Sequence, residues 1–137
     1  MAIDKVETVR QILAANRSGT DEETLGVMLE SAGPNIEFHS RVSAIEGSDY
    51  RGHPGVREYI SDMRDAFREW RNEASEIAEV SPNSVLAEIT FHGIGKESGM
   101  EVQLRSAILF EFSGDQVVRC LSYPTREEAL RAAGIEP

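Results

Sequence analysis

Cysteine, positive charge and long apolar runs are all scarce in this sequence of 137 residues. Cys120 is the only cysteine, which excludes an internal disulfide and fits a reducing compartment. The chain has 14 basic residues against 24 acidic ones, so its net charge is −10. A surface of that sign repels phosphate backbones and anionic lipids. We therefore predict neither a nucleic-acid partner nor a membrane partner.

Segments that would direct the chain into or across a membrane are also missing. No uninterrupted apolar run approaches the roughly 20 residues that span a bilayer. The first residues, Met1-Ala2-Ile3-Asp4-Lys5, lack the basic start and the apolar core of a signal peptide. We therefore expect a cytoplasmic protein. Hydrophobic residues make up 40% of the chain, enough for one core, and we expect a single domain over residues 1–137.

Three alternating runs in the second half are the clearest pattern in the chain. They cover residues 85–93, 100–112 and 116–123, and short turn-rich segments separate them. Alternation with close turns predicts an antiparallel meander. The middle run then has an apolar face that comprises Val102, Leu104, Ser106, Ile108, Phe110 and Phe112. The opposite face comprises Glu101, Gln103, Arg105, Ala107, Leu109 and Glu111.

Helical spacing dominates the first half of the chain. Asp4 is placed to cap a first helix, and Thr20 with Glu23 forms a capping box for a second, which residues 33–35 end. A third helix starts around Pro54. Its long apolar stripe comprises Val56, Tyr59, Ile60, Met63, Phe67 and Trp70. We expect this helix to cover the apolar face of the sheet.

Weaker patterns complete the chain. We interpret residues 36–39 as a short strand, 40–48 as a loop and 72–80 as a further strand. Thr125 and Glu128 form a capping box that opens a short terminal helix. Helices that segregate to one face of an antiparallel sheet define an α+β class.

The segment Tyr50-Arg51-Gly52-His53-Pro54-Gly55-Val56-Arg57-Glu58-Tyr59 resembles the helix start of SnoaL-like proteins, in the nuclear transport factor 2 and ketosteroid isomerase superfamily. Residues 112–119 and 123–130 are similar to the last hairpin and tail of that family. The resemblance implies a cone-shaped, curled antiparallel sheet wrapped around a long helix, with two N-terminal helices and an apolar pocket. It implies less about function, because this fold hosts both enzymes and non-catalytic binders.

The resemblance also implies which side chains line the pocket. On the meander they are Ala87, Ile89, Phe91, Leu104, Ser106, Ile108, Phe110, Cys120 and Ser122. Further candidate substrate contacts are Phe38, Tyr50, Tyr59, Met63, Phe67 and Trp70. For Met63 and Phe67, plain core packing is the favoured alternative.

The acids of ketosteroid isomerases are replaced in this sequence. Those enzymes use an Asp base, with a Tyr and a protonated Asp as oxyanion donors. Phe38 takes the position of the base, or His39 does if the register shifts by one residue, and Ile108 takes the position of the second acid. The tyrosine position falls near Ile12, so we predict no steroid isomerisation. The Asp–Arg–Asp set of epoxide hydrolases is also missing, since the meander strands hold no Asp and Arg105 faces away from the expected pocket.

His39 is the remaining candidate catalytic base, for the ring-closing aldol step of SnoaL-like cyclases. The favoured alternative is a histidine at a strand end, bonded to a backbone carbonyl. His53 is interpreted as a capping residue and His92 as solvated or interfacial. Because no histidine pair shares metal-ligand spacing with a carboxylate, we predict no metal, and we expect no cofactor.

Two functions therefore remain open. One is a cyclase-, isomerase- or lyase-like reaction on a carbonyl compound, which needs a held base and an oxyanion donor. The other is a non-catalytic module for small-molecule binding or dimerisation, where binding needs only shape and an orienting hydrogen bond. In both cases the partner is a small hydrophobic molecule.

The outward sheet face suggests that the chain pairs with itself. That face comprises Ala107, Leu109, Val117, Leu121 and Tyr123, together with Arg105 and Arg119. Such a patch commonly marks an interface, and the resemblance implies back-to-back sheet packing. We predict a homodimer through this face. In the alternative, residues 125–137 fold back and cover the patch in a monomer.

Overall fold

The computed structural model describes residues 4–18, 21–40 and 48–136, to which it assigns four helices and six strands. In chain order these are α1 Lys5–Ser18, α2 Asp21–Ser31, β1 Ala32–Ser40, β2 Ser48–Arg51, α3 Gly52–Ala66, β3 Phe67–Ser81, β4 Ser84–Gly95, β5 Glu101–Ser113, β6 Gln116–Tyr123 and α4 Arg126–Ala132. The predicted capping residue Thr20 and residues 41–47 of the predicted loop lie outside the described part of the chain. None of the described helices has the length and apolarity to cross a bilayer.

The six strands form one mixed sheet in the order β2-β1-β6-β5-β4-β3. Strands β4, β5 and β6 pair antiparallel with their sequence neighbours, which confirms the predicted meander. Among the described strands, the one parallel pair joins β1 to β6. The sheet is open and curled and packs against helices, so the chain has the predicted α+β class.

Side-chain caps begin the first and last helices where the sequence predicts them. The backbone N–H of Glu7 donates to Oδ1 of Asp4 at 3.1 Å, and that of Glu128 donates to Oγ1 of Thr125 at 3.2 Å. These bonds satisfy N–H groups that have no partner inside the helix. Beyond α4, Gly134 adopts a φ of 77°, the left-handed geometry that favours glycine after a helix.

The long amphipathic helix is shorter than predicted. Phe67 and Trp70, which the helical stripe included, lie on β3, and Phe67 already has an extended φ of −130°. The reason is pairing with β4, where Gly93 lies opposite Trp70. A Cβ on Gly93 would come within 2.9 Å of the rings of Phe67 and Phe91, so glycine makes room for them. The predicted strand 72–80 is confirmed as part of this longer strand.

The first strand also begins earlier than predicted. Residues 33–35, expected to end the second helix in a turn, lie within β1, which follows α2 directly. Ala32 pairs with Val117, and the pairing register then shifts before the predicted strand 36–39. An irregular register suits Pro34, because proline has no N–H to donate to a neighbouring strand.

The inner face of β5 carries the side chains that alternation predicts, namely Leu104, Ser106, Ile108 and Phe110. The three apolar ones share the main core with Met63 and Phe67, and Ser106 is buried. Gln103 and Arg105 lie exposed on the opposite side. The predicted orientation of this strand is therefore confirmed.

A second, smaller core lies on the outer face of the sheet. This outer cluster comprises Leu86, Ala107, Leu109, Ala129 and Leu130. Because α4 folds back over the sheet, Ala107 and Leu109 are each only 1% exposed in a single chain. The expectation that a lone chain would leave both in water is wrong. The alternative, coverage by the terminal segment, is confirmed for this part of the face.

Two other residues of the predicted outer patch behave differently. The pairing register shifts between Glu111 and Phe112, which brings Val117 opposite Phe112 and into the main core. Placing Val117 on the outer face is therefore wrong. Arg119 does lie outside, but its guanidinium meets Glu37 at 3.3 Å and Glu111 at 3.4 Å in its own chain. The charge of Arg119 is therefore already paired within one chain, without carboxylates from a second copy.

Candidate functional site

A cavity opens between α1, α2 and α3 and the inner face of the sheet. Counted with its mouth it encloses about 570 Å³, and the centre of a water molecule fits within about 60 Å³ of it. Its lining residues are Ile12, Leu13, Met28, Ser31, Ala32, Ile36, Phe38, Val56, Tyr59, Asn72, Ile108, Phe110, Val117 and Cys120. The wall is therefore apolar apart from a few side chains that carry one polar group each.

Periodicity explains how these side chains converge. Val56 and Tyr59 are three residues apart on α3 and so share one helical face. Ile108 and Phe110 are two residues apart on β5 and so share the inner sheet face. Cys120 of β6 pairs directly with Phe110. The cavity lies where these two faces meet.

Only part of the predicted lining surrounds this cavity. The predicted residues that line it are Phe38, Tyr59, Ile108, Phe110 and Cys120. Others belong to the surrounding core without lining it, namely Tyr50, Met63, Phe67, Trp70, Ala87, Ile89, Phe91 and Leu104. Ser106 is buried and Ser122 is half-buried on the same face, and neither lines the cavity. For Met63 and Phe67 this agrees with the alternative of plain core packing.

His39, the candidate base, does not reach the cavity. Because side chains alternate along β1, Phe38 points inward and His39 points to the other side of the sheet. Its Nδ1 lies 2.8 Å from Oδ1 of Asp49, and its side chain is 37% exposed. The partner of His39 is thus a carboxylate on the neighbouring strand. The favoured alternative had expected a backbone carbonyl instead. This geometry removes His39 from the cavity chemistry.

The other two histidines also lie away from the cavity. His53 Nε2 donates to the carbonyl of Ala32 at 3.0 Å and so ties the start of α3 to β1. His92 lies 3.7 Å from a carboxylate oxygen of Glu73 on the paired strand. In the described ranges, no group of three or more His, Cys, Asp or Glu residues could hold a metal ion.

Aromatic rings form one wall of the cavity. The rings of Phe38 and Tyr59 meet edge to face at a centroid distance of 4.6 Å. Tyr50 flanks both, and its hydroxyl donates to Oδ2 of Asp62 at 2.6 Å. Trp70 packs edge to face on Tyr59 at 6.1 Å. Such ring pairs stabilise the packing of their members beyond the burial of apolar area.

Asn72 is a lining residue that the sequence reasoning missed. It lies on β3, pairs with Phe91, whose side chain is in the main core, and is only 7% exposed. Taken alone, an asparagine at the start of a weakly alternating stretch indicates a turn. Extending the alternation back to Trp70 would have placed Asn72 on the inward face, and that signal was available.

Comparison with known protein families shows which family has this architecture. Residues 10–120 match the SnoaL-like domain family. The chain belongs to the SnoaL-like domain family. No curated protein sequence matches it.

Solved structures share the fold of this SnoaL-like domain at low sequence identity. An NTF2-like protein of unknown function from Burkholderia pseudomallei superposes with a TM-score of 0.75 and 18% identity, over 94% of this chain and 97% of that one. TerC, co-crystallised with polyporic acid, has a TM-score of 0.73 and 15% identity, over 93% and 95%. A candidate SnoaL-like polyketide cyclase from Jannaschia sp. CCS1 has a TM-score of 0.69 and 19% identity, over 97% and 92%.

The positions that the resemblance assigns to steroid isomerisation meet in the cavity of this SnoaL-like domain. Ile12, Phe38 and Ile108 all line it. Each stands where the resemblance expects a tyrosine or an acid, and none of the three can donate or accept a proton.

The titratable groups of the cavity wall are held in their neutral forms. Burial raises the pKa of Tyr59 well above its ordinary value, with smaller contributions from the nearby Cys120 and Tyr50. Burial also raises the pKa of the Cys120 thiol to about 12. The described lining residues include no carboxylate and no histidine. This wall can form hydrogen bonds, but it offers no base at neutral pH.

Proposed function

We propose that this SnoaL-like domain binds a small hydrophobic molecule in the cavity between its helices and the inner face of its sheet. The supporting observation is the cavity itself, an apolar concavity with a few polar groups in which the centre of a water molecule fits within about 60 Å³. Ligand pockets typically combine apolar walls with a few orienting polar groups. The structural neighbour TerC was co-crystallised with a small molecule, which is consistent with this function.

A cyclase- or isomerase-like reaction on a carbonyl compound is the second candidate. The observation in its favour is that Tyr59 and Asn72 could both donate hydrogen bonds to an oxyanion that develops in the cavity. Such a reaction also needs a group that removes a proton. Because the described lining residues offer none, binding without chemistry is the function that we put first.

Tryptophan fluorescence can test the binding proposal. Trp70 is the only tryptophan and lies 6.1 Å from Tyr59, which lines the cavity. We expect neutral bicyclic compounds such as tetralin and 1-tetralone to change its emission in a saturable way. The variant Ile108→Phe fills part of the cavity, and it should weaken binding by about tenfold, which corresponds to about 1.4 kcal/mol.

The matched control is Val102→Phe. Val102 is on the same strand and of the same alternation parity as Ile108, but it is 38% exposed and does not line the cavity. This variant should bind like the wild type. Equal weakening in both variants, or no saturable change with any compound, would contradict the proposal.

We also propose that the chain forms a homodimer through the part of the outer sheet face that α4 leaves uncovered. Leu121 is half-buried there, beside the ion pair of Arg119 with Glu111. Apolar residues bordered by charges are common at interfaces. Sedimentation should then give twice the chain mass of 15.2 kDa, and Leu121→Glu should halve it. A wild-type mass of 15.2 kDa would exclude the dimer.

A further inference from the structure

Asn72 is a buried polar side chain whose amide has no hydrogen-bond partner among the described residues. Its amide offers two donor hydrogens and an acceptor oxygen, yet it forms no side-chain hydrogen bond with any residue in the described ranges. A buried polar group without a hydrogen bond is costly and rare in folded proteins. The amide atoms of Asn72 are not sealed off, because the only fully enclosed unpaired polar atom among the described residues is Nη1 of Arg126.

The open space beside the amide belongs to two concavities. Asn72 lines the apolar cavity and also an adjoining polar depression, about 710 Å³ when counted with its mouth, which Arg10 and Glu76 border. Leu13 is the other residue shared by both walls. The amide therefore lies at the end of the apolar cavity, at its boundary with a more polar region.

Two of the other polar groups of the described wall are less available. The hydroxyl of Ser31 already donates to the carbonyl of Val27 at 3.1 Å. Cys120 carries a neutral thiol, which is a weak donor and a weak acceptor. Tyr59 adds a hydroxyl from α3 that, like the amide of Asn72, has no partner among the described residues. Of the unused groups on the described lining residues, the amide of Asn72 has the most hydrogen-bonding sites.

The surroundings of Asn72 also define the charge of a suitable ligand. No cationic side chain is among the described residues that line the apolar cavity, and the chain carries a net charge of −10. A carboxylate or phosphate inside the apolar cavity would lose its hydration without gaining a counter-ion from the described wall, since Arg10 borders only the polar depression. A carbonyl or hydroxyl oxygen on an apolar skeleton matches both the amide and the apolar wall.

We infer that Asn72 is the specificity-determining residue of the cavity, and that it selects neutral molecules whose apolar skeleton carries a carbonyl or hydroxyl oxygen. This inference rests on the proposed binding function. It goes further by naming the residue that forms a hydrogen bond with the ligand and the chemical group of the ligand that accepts or donates that bond.

A matched pair of compounds tests the inference. 1-Tetralone and tetralin share a bicyclic skeleton and differ by one carbonyl oxygen. We expect the wild type to prefer the ketone and the variant Asn72→Leu to lose about tenfold of its affinity for the ketone. The same variant should bind tetralin no more weakly than the wild type. An equal loss for both compounds, or an unchanged preference for the ketone, would overturn the role of Asn72.

Thermal unfolding without ligand gives an independent test. If the amide has no partner in the folded chain, Asn72→Leu should leave the melting temperature unchanged or raise it. Thr24→Val is the matched control, because Thr24 is equally buried but its hydroxyl donates to the carbonyl of Ala15 at 3.1 Å. That variant should melt lower. A fall for Asn72→Leu as large as the fall for Thr24→Val would overturn the inference.

The two tests separate this inference from the proposal on which it rests. If neither compound binds to the wild type, the proposed binding function fails for this class of ligand, and the selection by Asn72 fails with it. If both compounds bind and Asn72→Leu changes neither, only the role of Asn72 is overturned.

Discussion

The two faces of β5 show how one strand serves two different cores. Ile108 and Phe110 point inward and line the cavity, whereas Ala107 and Leu109 point outward into the outer cluster. The inner core includes side chains of three helices and still contains a cavity. The outer cluster is covered by α4, seven residues long, and both of its β5 side chains are 1% exposed.

The polar groups of the two regions differ in the same way. Inside, Asn72 lies against the cavity without a hydrogen bond to any described residue. Outside, Nη1 of Arg126 on α4 also lacks a hydrogen bond, but it lies 3.7 Å from a carboxylate oxygen of Glu76 and 3.6 Å from one of Glu88. The charge of Arg126 is therefore compensated on the outer face, whereas Asn72 lies beside open space, and open space and unused polar groups both lower stability.

The largest effect should come from removing a side chain of the outer cluster. We expect Leu109→Ala to lower the free energy of unfolding by about 2–5 kcal/mol, because a fully buried leucine leaves a cavity when it is truncated. Urea denaturation measures this change. Ile108→Ala, one residue away on the cavity side, should cost clearly less, since Ile108 is only half-buried. Equal costs would remove the contrast between the two faces.

The next largest effect on the free energy of unfolding should distinguish two tyrosines of the inner core. Tyr50→Phe should lower the free energy of unfolding by about 1.5–3 kcal/mol, because it removes a hydrogen bond of 2.6 Å to the carboxylate of Asp62. Tyr59→Phe should change stability by less than about 0.5 kcal/mol, since its hydroxyl has no partner among the described residues. Chemical denaturation of both variants checks this. A large loss for Tyr59→Phe would show that its hydroxyl is bonded within the fold and unavailable to a ligand.

The smallest effect on stability should come from the ion pairs on the outer face of the sheet, and it should depend on pH. A hydrogen bond with Glu76, together with burial, raises the pKa of Glu88 against the opposing attraction of Arg126. The folded chain thus holds this proton more tightly than the unfolded chain. The resulting stability is fully present below the ordinary carboxyl pKa and is lost as pH rises through the raised pKa.

Glu88→Gln cannot lose a proton at this position. Its stability relative to the wild type should therefore increase from about pH 4 to about pH 7. Thermal melting across that range measures the trend, and Glu97→Gln, in an exposed turn, serves as the control. A difference that stays constant or falls with rising pH would contradict the assigned direction.

Local patterns predicted much of the fold and part of the cavity. The alternation of β5 correctly assigned Ile108 to the inner face and Leu109 to the outer one. The helical spacing of Val56 and Tyr59 correctly predicted that both face the core. Asn72 was missed because the helical stripe was extended through Trp70, which hid the strand alternation that runs back to that residue.

The sequence by itself determined the features that depend on interactions between residues close together in the chain. The two-residue period of the meander, the stripe of α3 and the caps at Asp4 and Thr125 each involve residues within a few positions of one another. These patterns were sufficient for the α+β class, and the resemblance at residues 50–59, 112–119 and 123–130 was sufficient for the family.

Tertiary structure alone decided the contacts between distant segments. Trp70 was predicted to be helical but lies on a strand because it pairs with Gly93 of β4. Leu109 is buried because α4 folds back over the outer face of the sheet. The cavity unites side chains from α1 to β6, so its wall could not be deduced from any single segment. The physical reason is that burial and hydrogen bonding depend on partners far along the chain, which local periodicity does not encode.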